Sequence, residues 1–173
     1  MEFDQAWKTD ERFQKFVLRV TSDMYVLPEQ HCVVVDSLTN QLWLVNWQEE
    51  QFLALCDGLD DEQFSLVLAL LSAWPSFVPY AKLLQHIGIQ PTQQDLDDLE
   101  RVRASGQLDD SEEERVQEAQ ARAHIDPLLQ TLRDLLAGCR VNLHPLGMDI
   151  AAVLDYGPML TRYREANTES SVA

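Results

Sequence analysis

The sequence predicts an α+β fold in which short strands and amphipathic helices occupy separate stretches of the chain. Strand-like runs rich in Val, Leu and Trp lie within 24–47, and helical apolar spacing covers 59–74 and 125–136. Two further strand-like runs surround a Pro/Gly turn at 144–147. With 173 residues, of which 46% are hydrophobic, the chain can bury one core of ordinary size.

Residues 1–23 are predicted to form a helical or extended leader. Aromatic and valine side chains recur there at three- and four-residue steps, which favours a helix over 3–20, with a passage into a strand at "FVLRV" left open. The runs "MYVL", "HCVVVD" and "QLWLVNW" then predict a small antiparallel sheet. Trp43 and Trp47 are expected on one face of it, buried under the first helix.

Two helices are predicted after the sheet. Apolar side chains recur at three- and four-residue intervals over 59–74, where Asp60 or Asp61 can cap the start and Pro75 ends the helix. A shorter helix at "YAKLLQHI" is expected to end at Gly88, which can adopt the left-handed conformation.

Residues 91–120 are strongly acidic. They contain ten Asp and Glu against three Arg, a local net charge of -7. One short helix is predicted before Gly106, and a second begins at "SEEERVQEAQARA" with acids in its first turn. This segment is expected to be an exposed helical insertion outside the core.

Another helix is predicted at "HIDPLLQTLRDLLAG", with Asp126 as its cap, Pro127 at its first position and Gly138 at its end. The runs "CRVNL" and "MDIAAVL" on either side of "HPLG" predict a hairpin. Residues 155–173 are expected to form a C-terminal extension with a frayed tail.

Two stretches resemble one known family. "LDDEQFSLVLALLSAWPSFVPYAKLL" resembles the opening of the winged-helix effector domain of OmpR/PhoB-type response regulators, in which Leu-Thr-x-x-Glu-Phe precedes a Leu-rich helix and Val-Ser-Arg-Glu-x-Leu-Leu follows a turn. "HIDPLLQTLRDLLAGCRVNLHPLGMDI" resembles that family's recognition helix and wing. The corresponding positions in the first stretch are Leu59, Glu62, Gln63, Phe64, Val78, Leu83 and Leu84.

The resemblance covers about residues 24–154. It implies a winged helix-turn-helix domain with an N-terminal small antiparallel sheet, an acidic helical insertion at 91–120 and a C-terminal wing hairpin. It also implies a role in bacterial transcription control. The receiver domain usual in that family has no counterpart in this sequence.

The charge balance disfavours DNA binding. The chain has 13 Lys and Arg against 29 Asp and Glu, and its net charge is -16. A DNA-reading helix needs donors on its outer face and cations that neutralise phosphates. Sequence-specific DNA binding by a homodimer is therefore the alternative hypothesis, and its contact residues would be Arg122, Gln130, Arg133, Arg140 and His144.

The first hypothesis is a non-catalytic regulatory protein that acts through protein–protein binding. An acidic surface fits a partner with a basic surface, for example a component of the transcription machinery. The expected charged contacts are Asp95, Asp97, Asp98, Asp109, Asp110, Glu112, Glu113 and Glu114.

A small enzyme or metal-binding protein is the third hypothesis. No Gly-rich loop precedes a helix and the His and Cys spacings match no known metal motif, so we expect no catalytic residue, cofactor or metal. Three scattered cysteines predict buried free thiols. The sequence lacks a secretion signal and a run of about 20 apolar residues, which predicts a cytoplasmic protein that does not bind membranes.

Overall fold

A computed structural model describes residues 7–8, 10–19, 25–104, 111–153 and 156–164. Within these ranges the fold is α+β, as predicted. It contains four α-helices, a four-stranded antiparallel sheet and a two-stranded hairpin. None of the helices in the described ranges combines the length and apolarity needed to cross a bilayer.

The sheet consists of four strands in sequential order: β1 (Phe13–Phe16), β2 (His31–Asp36), β3 (Gln41–Asn46) and β4 (Gln51–Cys56). The strands predicted at "HCVVVD" and "QLWLVNW" are confirmed as β2 and β3. β4 was not predicted from the sequence. Alternation along β2 and β3 divides their side chains between two faces, and one of these faces forms part of the main core.

The predicted N-terminal helix is wrong over β1. Residues 13–16 pair antiparallel with β2, and this pairing provides backbone hydrogen bonds while Phe13 is buried on the sheet. The remainder of 3–20 lies partly outside the described residues. The prediction that Trp43 and Trp47 are buried under the first helix is also wrong. Trp43 packs against Phe52 and the cluster of Trp7 and Phe13, and Trp47 is exposed.

The first two predicted helices are confirmed as α1 (Asp61–Ala73) and α2 (Tyr80–His86). Asp60 caps α1, accepting a 2.8 Å bond from the Gln63 backbone while the Gln63 side chain accepts one from the Asp60 backbone. Gly88 follows α2 with φ of +82°, as expected of a residue in the left-handed conformation.

Helices α3 (Gln93–Ala104) and α4 (Glu112–Leu143) form an antiparallel pair that carries the acidic segment. The acidic segment is helical and lies outside the main core, as expected, but it is not wholly exposed, because Val102 of α3 packs with Ala121, Ile125 and Leu129 of α4 in a separate buried cluster. The helix start predicted at Asp126 and Pro127 is wrong. α4 passes through Pro127 and Gly138 without a break, since its buried stripe continues on both sides of each.

The C-terminal hairpin consists of β5 (Met148–Val153) and β6 (Gly157–Arg162), and a 3₁₀ turn at His144–Leu146 precedes it. The strand predicted at "CRVNL" is wrong, because those residues form the last turn of α4. The partner of β5 is β6, which lies in the segment expected to be an extension.

One core joins most of these elements. Side chains from the sheet, α1, α2, the C-terminal half of α4 and the hairpin meet in a single buried cluster. All three cysteines are buried free thiols, as predicted. Burial raises the pKa of the Cys139 thiol to about 12.

Candidate partner-binding surface

The acidic helix pair has well-defined helix starts. At the start of α3, the Thr92 hydroxyl accepts a 3.1 Å bond from the Asp95 backbone, and the Asp95 carboxylate accepts a 2.9 Å bond from the Thr92 backbone. At the start of α4, the Ser111 hydroxyl accepts a bond from the Glu114 backbone. The acids in these first turns interact favourably with the helix dipoles.

His124 of α4 joins the two helices through two carboxylates of α3. Its Nδ1 contacts Asp98 Oδ2, and its Nε2 lies 3.3 Å from Asp95 Oδ1. Both aspartates are buried, whereas much of the His124 side chain is exposed. We call Asp95, Asp98 and His124 the histidine clamp. Asp95 and Asp98 were predicted to contact a partner, but in the structure their carboxylates contact His124 of the same chain.

The clamp borders a polar cleft of about 370 Å³ between α3 and α4. Arg101 crosses it and donates a 2.6 Å bond to Gln117. Within the described ranges, no group of three or more His, Cys, Asp and Glu side chains could hold a metal ion.

The hydrogen bond from His124 lowers the pKa of Asp98, and a second bond from Gln94 acts in the same direction. A lowered folded-state pKa stabilises the fold above the unfolded pKa of about 4, and this contribution is lost as pH falls through the folded value.

We therefore expect His124→Gln to raise the pKa of Asp98 towards its ordinary value and to lower the free energy of unfolding at neutral pH by about 1 kcal/mol. Carboxyl-carbon NMR titration and urea denaturation would measure the two effects. His86→Gln is the matched control, because exposed His86 bonds to Ser65 on a different helix pair. If the pKa of Asp98 is the same in His124→Gln as in the wild type, His124 does not bond to Asp98 in solution.

The other acids of the predicted set lie in different environments. Asp97, Glu112 and Glu113 are exposed, and Glu114 is half-buried. Asp109 and Asp110 lie outside the described residues. We call Asp97, Glu112 and Glu113 the acidic face, since these are the members of the set that the structure leaves exposed to solvent.

Acidic neighbours hold most of the predicted DNA-contacting residues on α4. Arg122 donates a 2.9 Å bond to Glu118, and Gln130 donates a 2.8 Å bond to Asp134. Arg133 is exposed and makes no ion pair with any of the described residues.

Asp149 of β5 holds the two remaining residues of that set. Arg140 makes two bonds to it, at 2.8 and 3.3 Å, and His144 Nε2 lies 3.2 Å from the same carboxylate while its ring stacks on Tyr163. Burial acts to raise the pKa of Asp149, but the bonds from Arg140, the Ile150 backbone and His144 outweigh it and lower the pKa. Asp149 is therefore ionised at neutral pH and neutralises the charge of Arg140.

A second group of cations was not predicted from the sequence. Arg162 and Arg164 lie near Tyr25 and Trp74, where the hairpin meets the segment after β1. The sequence did contain a signal for the two arginines, because residues two apart in an extended chain share a face. Their closeness to Tyr25 depends on a pairing between distant segments that the sequence does not indicate.

Comparisons with protein-family models, curated proteins and solved structures found no match to this chain.

Proposed function

We propose that this chain is a non-catalytic winged-helix regulator that acts in bacterial transcription control by binding a protein with a basic surface. The order of elements supports the winged-helix part of the proposal. The four-stranded sheet, α1, α2, α4 and the final hairpin follow one another as in the effector domain that the sequence resembles, and α3 is an additional helix between α2 and α4. In this assignment the C-terminal half of α4 corresponds to the recognition helix, and β5–β6 to the wing.

The contact of four of the five predicted DNA-contacting residues, all except Arg133, with acids of the same chain is the observation that carries the preference for protein over DNA. Arg122 and Arg140 each bond to an acid of the same chain, and His144 shares Asp149 with Arg140. Contact with phosphates would require these pairs to be broken or would bring carboxylates close to the DNA backbone. Both effects weaken an interaction that depends on the release of counterions by free cations.

The acidic face supports binding to a partner with a basic surface. Asp97 lies on α3, and Glu112 and Glu113 lie in the first turn of α4. Exposed acids attract a basic partner over a distance of about 10 Å at ordinary salt and so mainly affect the rate of association.

Fluorescence anisotropy with labelled random-sequence duplex DNA tests the preference against DNA. We expect no binding at about 50 mM salt, because the described cations of α4 are largely paired. Binding at that salt which falls steeply at about 200 mM would favour the alternative, a DNA-binding homodimer in which Arg122, Arg133 and Arg140 contact the duplex.

A charge-neutralised variant tests the acidic face. Asp97→Asn combined with Glu112→Gln and Glu113→Gln is expected to slow association with purified bacterial RNA polymerase about tenfold at low salt, and less at high salt. Stopped-flow fluorescence of the labelled chain would measure the rates.

The matched control for this variant removes the same number of charges elsewhere. Glu49→Gln, Asp57→Asn and Glu62→Gln are exposed positions outside α3 and α4. If both triple variants slow association equally, net charge and not the acidic face attracts the partner. If the wild-type chain does not bind the polymerase, that partner is wrong.

A further inference from the structure

Three arginines lie around Tyr25 where the hairpin meets the segment after β1. Arg19 and Tyr25 form an isolated antiparallel bridge, which places their backbones side by side. Arg162 at the end of β6 donates a 2.5 Å bond to the Tyr25 hydroxyl, and its guanidinium lies 5.0 Å from the centre of the Tyr25 ring. Arg164, two residues further along, lines the same cleft as Arg162.

Among the described residues, this group has few acidic partners. Arg19 forms an exposed pair with Glu29 at 3.4 Å. Arg162 and Arg164 form no ion pair with any residue in the ranges that the structure describes. Several other arginines are paired with acids, whereas Arg162 and Arg164 have no acidic partner among the described residues.

The cleft beside these arginines has an apolar wall. Its volume is about 280 Å³, and Tyr25, Val26, Trp74, Met159 and Leu160 line it together with Thr161, Arg162 and Arg164. Trp74 is half-buried and Tyr25 is exposed, so both rings can contact a bound molecule. We call this site the arginine cleft. Its volume is at the lower limit for small-molecule sites, which suits a compact ligand.

We propose that the arginine cleft binds a small organic anion that has a planar apolar body. The guanidinium groups of Arg162 and Arg164 hold its carboxylate or phosphate, since a guanidinium presents parallel donors that match both groups. The planar body lies against Trp74 and Met159, where its apolar surface is removed from water. This proposal concerns a face separate from α3 and α4 and does not depend on the proposed function.

Isothermal titration calorimetry with matched probes tests the ligand chemistry. We expect 2-naphthoate and 2-naphthyl phosphate to bind at one site with a Kd of about 1 mM or tighter, as their size allows. The tighter of the two identifies the preferred anion. We expect at least about tenfold weaker binding of three control compounds. The neutral isostere 2-naphthamide lacks the anionic group, and acetate and inorganic phosphate lack the planar apolar body.

Substitutions locate the site. Arg164→Gln is expected to weaken 2-naphthoate binding about tenfold, since it removes one charge-assisted contact. Arg164 is exposed, so its substitution should not disturb the fold, and far-UV circular dichroism would verify that the variant is folded. Arg162→Gln is expected to have a similar effect. Arg133→Gln, an exposed arginine on α4 that lines a different cleft, should leave binding unchanged.

Three results would overturn the proposal. One is the absence of saturable 2-naphthoate binding at roughly ten times the expected Kd. A second is binding of 2-naphthamide as tightly as 2-naphthoate. The third is an Arg164→Gln variant that retains wild-type affinity.

Discussion

Replacing Gly157 by alanine is expected to lower the free energy of unfolding by about 3 kcal/mol. A Cβ at this position would lie 2.0 Å from the Val78 carbonyl oxygen and 3.2 Å from the Pro79 Cα, so backbone and not a flexible side chain blocks it. The Val78 backbone N–H also donates a 2.9 Å bond to the Pro158 carbonyl, which ties the start of β6 to the segment before α2. The new methyl group would force these two segments apart.

Urea denaturation of Gly157→Ala would measure this loss, and Gly88→Ala is its matched control. Gly88 has φ of +82° and no atom within 4 Å of an added Cβ, so the cost there is only that of a left-handed backbone, about 1 kcal/mol. Equal losses in the two variants would mean that the close approach of β6 to Val78 does not stabilise the fold.

The parts of the fold that were predicted correctly are those determined by local sequence. In α1 the apolar spacing, the capping residue Asp60 and the stop before Pro75 all agree, and the helix has the expected bounds within two residues. β2 and β3 are similarly local, because their β-branched and aromatic side chains alternate between two covered faces.

The errors occur where tertiary contacts outweigh local signals. The three-residue spacing of Phe13 and Phe16 in β1 is compatible with a helix. The segment forms a strand because it pairs with β2. β6 begins at Gly157 and Pro158, two residues that usually mark a turn. Its partner β5 was predicted to pair with "CRVNL", the segment that precedes the turn, but in the structure that segment is the end of α4.

The candidate site was predictable in composition but not in geometry. The sequence identifies an acidic segment, and exposed Asp97 and Glu112 belong to it as expected. Asp95 and Asp98 are three apart and therefore share a helix face. The sequence does not show that His124 lies against that face, because this contact depends on how α3 packs against α4.

Pro127→Ala is expected to raise the free energy of unfolding by about 1–3 kcal/mol. Pro127 lies in the interior of α4 at an exposed position, so it removes one helical hydrogen bond without any compensating burial. Alanine restores the backbone N–H that can bond to the Ala123 carbonyl. The urea midpoint should rise and far-UV circular dichroism should show equal or higher helix content.

The same substitution distinguishes one continuous helix from two. If a helix began at Pro127, proline would occupy the first helical position, where its missing N–H costs nothing, and alanine would be neutral or slightly destabilising. Pro145 is the second residue of the 3₁₀ turn after α4, and Pro145→Ala is the matched control, with a change within about 0.5 kcal/mol. If Pro127→Ala is no more stable than the wild type, α4 is broken at Pro127 in solution. The histidine clamp would then join α3 to a separate helix and not to the helix whose C-terminal half packs in the main core.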